Sequence, residues 1–177
     1  MSMYNACVPQ MRKMLKNLAS WIDKAVAHAE AKGFDPEVLL TARLAPDQYT
    51  FTRQVQAAAD SVKSAAAHLS GRVPPTHPDT EKTIEELRAR INTVLEYVDT
   101  VKEADFEGAA DRWIKLSFLP GLRVQGRDYL NELALPNFYF HVTTAYAILR
   151  HNGVDVGKRD FIGSMNLVPD PDAEAAS

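Results

Sequence analysis

The eight glycines of the chain stand at Gly33, Gly71, Gly108, Gly121, Gly126, Gly153, Gly157 and Gly163, so residues 1–32, 34–70, 72–107 and 127–152 contain none. Glycine inside a helix costs about 1 kcal/mol relative to alanine, and long stretches that exclude it favour helices separated by glycine stops. The apolar period within each stretch agrees. Met11, Leu15, Leu18, Ile22, Val26 and Ala29 recur every three or four residues, one stripe of a helix over 9–32, with Pro9 suited to its first turn and Gly33 to its C-terminal stop. Asp35 before Pro36 reads as the cap and first position of a short helical turn over 36–42. A second helix begins after Asp47, turns Phe51, Val55, Ala58, Val62, Ala65 and Leu69 inward, and ends at Gly71. In the third, Ile84, Leu87, Ile91, Val94, Val98 and Val101 step 3, 4, 3, 4, 3, a seam for packing on other helices, with Thr80 or Thr83 as its cap.

The fourth helix spans 128–151, with the kink or break that Pro136 imposes, and stops at Asn152-Gly153. Leu130, Leu133, Asn137, His141, Thr144 and Ile148 line one face; Leu135, Phe138, Val142, Tyr146 and Leu149 line a second. A helix apolar nearly all round is either central or shared with a second subunit, which predicts a homodimer through the helix-four face. Between helices two and three, Pro74, Pro75 and Pro78 enforce an extended connector over 70–79. At about 3.3 Å per residue it covers about 30 Å, the length of a 20-residue helix, so helices two and three can run parallel. Over 112–118 the period changes, and a short strand turning at Pro120-Gly121 and pairing with 122–124 is expected. The reading is therefore all-α: a four-helix bundle with a short β-hairpin between helices three and four. It forms one domain over 1–163, followed by an acidic tail over 164–177 expected to be disordered.

Charge narrows the partners. Twenty Lys and Arg against 23 Asp and Glu give a net charge of −3, with no basic block to engage phosphates, so nucleic acid is not an expected partner. No apolar run approaches the roughly 18 residues of a membrane span. Cys7 is the only cysteine, and the start MSMYNACVPQ has no apolar signal core, so a reducing cytoplasm is expected. The sequence contains no HExxH, paired CxxC, GxxxxGK[ST], GxGxxG or GxSxG, which removes the motif-bearing enzyme classes. Cys7 has no neighbouring cation to activate it and is read as packing.

His141 is the leading candidate residue. The inner stripe of helix four places it, with Asn137 one turn earlier, where a bundle core expects leucine, and a buried polar group must be paired. The other histidines compete poorly: His28 on an outer face, His68 on the flank of helix two, His77 in the proline loop, and His151 at a helix C-terminus.

The segments SMYNACVP, LLTARLAPDQYTFTRQVQAAAD and ALPNFYFHVTTAYAILRHNGVDVGKRDFIG resemble a domain-of-unknown-function branch of the DinB/YfiT-like superfamily across residues 2–163. The resemblance implies an up-down-down-up bundle, often homodimeric. It also implies a divalent metal held by three histidines, one on the second helix and two spaced by four on the last, with thiol-dependent transferases and isomerases among the relatives. Carried over by position, His141 matches the final ligand, Asn137 stands where its partner histidine would be, and Gln54 takes the helix-two position. Two of three imidazoles are thus amides, whose oxygens are weak ligands for zinc or nickel. The set looks more like a hydrogen-bonding pocket for a small polar molecule, with Tyr139 or Tyr146 as neighbours and His141 as the only general base. The alternative is a non-catalytic homodimeric module in which the same residues form a structural polar core.

Overall fold

The computed structural model describes residues 2–170. Four long helices carry the fold. Helix α1, Met3–Lys32, starts at the Ser2 cap and stops at Gly33, which is left-handed at φ 74°. It begins a turn and a half before the expected start, so Pro9 lies inside it and not in its first turn; Pro9 is exposed there, at the expense of one backbone hydrogen bond. A 3-10 turn, Pro36–Thr41, follows its Asp35 cap. Helix α2, Phe51–Ser70, is capped by Thr50 and closed by Gly71. Helix α3, Ile84–Asp99, starts in a reciprocal capping box between Thr83 and Glu86.

Strands β1, Trp113–Lys115, and β2, Arg123–Gln125, form the expected hairpin, with Ile114 opposite Val124. The last long helix, α4, is α-helical over Gly126–Asp128, π-helical over Tyr129–Ala134 and α-helical again over Leu135–His151. Pro136 was expected to kink or break it. The helix is not broken there but changes its winding: the wider π turns immediately before Pro136 relieve the clash that its ring would make with the preceding turn. A short helix not foreseen in the sequence, α5 over Lys158–Ile162, stacks Phe161 on Trp21.

Side-chain pairings fix the directions. Arg12 with Asp99 and Asp23 with Arg88 make α1 and α3 antiparallel. Asp60 with Arg90 and Arg72 with Thr100 make α2 and α3 parallel. Gln54 with His141, Ser61 with Asn137 and His68 with Tyr129 make α2 and α4 antiparallel. The bundle is up-down-down-up, and the extended connector provides the crossover that two parallel neighbours require.

The inner faces read from the sequence of α2 and α3 are buried: Phe51, Val55, Ala58 and Leu69 are fully enclosed, as are Leu87, Ile91 and Val94. In α4, Phe138, Val142 and Leu149 from one stripe and Ile148 from the other are 0 % exposed within a single chain, so these positions need no second subunit to cover them. Asn137 departs from its expected interior place and is exposed. Among the described residues no helix is long and apolar enough to cross a membrane. Residues 164–170 carry no helix or strand, and the rest of the tail expected to be disordered, 171–177, lies outside the described residues.

Candidate functional site: a cleft along helix α2

A cleft of about 790 Å³ runs along α2. Its floor is the face formed by Arg53, Ala57, Asp60, Ser61, Ser64 and His68, spaced at helical intervals over fifteen residues, or about 22 Å. Ala57, Ser61 and Ser64 leave room where larger side chains would close the groove. One wall is the start of α4, where Tyr129, Leu133 and Ala134 of the π-helical stretch are followed by Asn137 and His141. The opposite side is made by Pro74, Pro75, Thr76 and His77 of the connector and by Lys115, Leu116, Ser117 and Phe118 of the hairpin.

His141 lies at one end, 7 % exposed. Its Nδ1 is 2.7 Å from Gln54 Oε1, and Gln54 is fully buried. The Nε2 of Gln54 donates to the Tyr49 carbonyl at 3.4 Å, so the amide oxygen is the end turned to the ring. An amide oxygen only accepts, and Nδ1 must therefore carry the proton. That leaves Nε2 as the lone-pair nitrogen, with no protein partner among the described residues, on a ring that lines the cleft. Burial, and then the Arg53 charge, hold the imidazole below its ordinary pKa of 6.5, so it is neutral at pH 7. The Tyr49 ring is stacked nearly parallel to it at a centroid distance of 6.3 Å, and Phe140 meets it edge-on at 5.2 Å.

Asn137, one turn earlier, donates from Nδ2 to Ser61 Oγ at 2.8 Å. Ser61 in turn donates to the Ala57 carbonyl at 2.7 Å. Gln54, Asn137 and His141 are therefore brought to the same region, although Gln54 supports the ring from behind and Asn137 sits at the open edge. Tyr139 and Tyr146 are not brought there. Tyr139 packs edge-on against Phe138, and Tyr146 reaches the Val156 carbonyl at 3.3 Å beside Trp21 and Phe161, on the opposite side of α4.

The cleft also collects residues that the sequence reading passed over: Tyr49, Arg53, Lys63, Lys115, and the two discounted histidines, His68 and His77. His68 meets Tyr129 edge-on at 5.5 Å, and burial lowers its pKa. The available signal was the recurrence of Arg53, Ala57, Ser61, Ser64 and His68 every three or four residues, a second and more polar stripe beside the apolar face of α2. Cys7 is buried, and desolvation pushes its thiol up to about 12, which suits a packing role.

The chain matches the family described as a domain of unknown function, DUF1993, over residues 3–162. It belongs to that family. In structure the DUF1993 chain is similar to a DinB family member protein from Shewanella denitrificans, solved by crystallography: the two are 48% identical, the match covers 94% of this chain and 95% of the other, and the TM-score is 0.91. No curated protein matches the sequence. The DUF1993 cleft does not fit the three-histidine metal centre that the wider superfamily implies. Gln54 Oε1 is engaged by His141, Asn137 is exposed and tied to Ser61, and one imidazole with two amides is a poor set for zinc or nickel. Among the described residues no group of three or more His, Cys, Asp or Glu side chains is placed to hold a metal ion.

The Gln54–His141 pair can be tested directly. Gln54→Leu should cost about 1–3 kcal/mol, because it strands a buried ring N–H without an acceptor. Gln54→Glu should instead raise the His141 pKa, since a carboxylate favours the imidazolium. Thermal unfolding and the NMR titration of the ring check the two outcomes.

Proposed function

We propose that the cleft is a binding site for a small polar molecule, with His141 as its hydrogen-bond acceptor and, for a ligand carrying a labile proton, its general base. The observation that carries this reading is the asymmetry of the ring. Nδ1 is committed to a buried amide, which fixes the tautomer and orientation, while Nε2 has no protein partner among the described residues, on a groove roomy enough for a ligand. Nε2 is not among the fully buried unpartnered atoms of the described residues, so it stands where water or a ligand can reach it. The π-helical stretch lining the same groove adds support, because such turns are held at a cost and recur at functional sites.

The competing reading, a structural polar pair in a non-catalytic bundle, is favoured by Gln54 finding partners inside the chain for both ends of its amide. Exchange of His141 for phenylalanine separates the two. A fragment screen followed by ring-nitrogen NMR should shift the His141 Nε2 resonance in the wild type, and His141→Phe should stay folded and lose those binders. If no fragment moves that resonance and the variant changes stability alone, the structural reading stands.

The pH dependence of stability has a defined sign. His141 has a folded pKa below its unfolded one, so the unfolded chain binds the proton more readily. Its contribution is fully present above about 6.5 and is lost as pH falls toward the folded pKa. His68 and His77 are lowered too and act in the same sense. Unfolding free energy should therefore rise between about pH 5 and pH 7, and His141→Phe should flatten that slope; an unchanged slope would show that His141 does not contribute.

A further inference from the structure

A second part of the cleft has a chemistry of its own. Lys63, 5 % exposed, places Nζ 2.6 Å from Asp60 Oδ1 and 3.5 Å from His77 Nδ1. An ammonium paired with a carboxylate has only protons to offer, so His77 Nδ1 accepts and the neutral ring keeps its proton on Nε2. His77 is thus a donor, whereas His141 is an acceptor. Charges around the cleft also balance, with one exception. Arg53 pairs with Asp79; Lys63 and Arg90 share Asp60; Arg90 further engages Asp79 and Glu81. Three cations meet three carboxylates. Lys115, on the hairpin side, has no carboxylate partner among the described residues. The rings of Tyr49, Tyr129 and Phe118 and the prolines of the connector line the same cleft.

We infer that the cleft takes a small molecule with an oxyanion at one end, held by Lys115 and His77, and a proton-donating group at the other, held by His141. This rests on the reading of the cleft as a ligand site and adds the class of ligand. The cleft, about 790 Å³, has room for one substituted aromatic ring.

The test uses three probes on the isotope-labelled full chain: 4-hydroxyphenylacetate, its neutral amide, and phenylacetate, which lacks the hydroxyl. Titration at low salt, followed by chemical-shift changes, should give the acid at least about fivefold tighter binding than the amide. Lys115→Gln should erase that difference. Phenylacetate should bind more weakly than its hydroxylated counterpart in the wild type, and the two should bind alike in His141→Phe. Equal binding of acid and amide, or a preference that survives in Lys115→Gln, would overturn the assignment of an anionic ligand while shifts at His141 kept the ligand site itself. Absence of any shift in cleft residues with all three probes would remove both.

Discussion

Arg90→Ala should lower the unfolding free energy by about 3 kcal/mol, seen as a drop of roughly 6–12 °C in melting temperature for a chain of this size. The Arg90 side chain is 3 % exposed. Its guanidinium meets Asp60 at 2.9 Å, Asp79 at 3.1 Å, Glu81 at 2.8 Å and the Pro78 carbonyl at 3.1 Å. Truncation leaves these acceptors crowded together, with Arg53, Gln56 and Lys63 as their remaining partners. The cost sits at the low end of the range for breaking a buried pair because Asp60 and Asp79 are each about a third exposed. Arg90→Lys should recover part of the loss, since it keeps the charge but cannot fork to several carboxylates. A variant as stable as the wild type would mean that the connector is held by its prolines and not by this network.

Gly126→Ala is expected to have an effect of similar size for a different reason. A Cβ at this position would lie 1.9 Å from the carbonyl oxygen of Ala109 and 3.3 Å from Leu69 Cδ2. The backbone cannot easily give way, because Gly126 N–H donates to the Arg112 carbonyl at 2.9 Å and Arg127 N–H to the Ala110 carbonyl at 3.0 Å. A loss of about 3 kcal/mol, the upper part of the usual overpacking range, should follow in chemical denaturation. Because the hairpin hangs from this junction, shifts in the resonances of Lys115 and Phe118 should accompany it. Gly157→Ala is the control. Its Cβ would meet only Asp160 Oδ2 at 3.9 Å, and a change within about 1 kcal/mol is expected.

Much of the bundle was legible because apolar period and glycine stops coincide in α2 and α3: Phe51 through Leu69 and Ile84 through Val98 were assigned to the inside and are found there. The ends of α1 and the course of α4 were harder. A proline is a stop signal only on average: Ser2, a usual cap residue, stood ahead of Pro9 and was not read as one, whereas the π turns ahead of Pro136 have no signature that one sequence reveals. His141 was read as interior from its period, and it is; Asn137, one turn away, is not, because the groove along Ala57, Ser61 and Ser64 opens beside it. His77 was discounted and Lys115 passed over for a topological reason. They reach the cleft from a connector and a hairpin, whose placement depends on tertiary packing and not on local pattern.

The crossover between the two parallel helices has an evolutionary corollary. Residues 74–77 border the groove without belonging to the hydrophobic core, so on the proposed reading of the groove as a ligand site, exchange at four contiguous loop positions would alter which compound is preferred while the helices keep their mutual fit. On that reading part of the selectivity lies in a short surface stretch outside the packed helices, which would let one scaffold vary its ligand by exchanging that stretch.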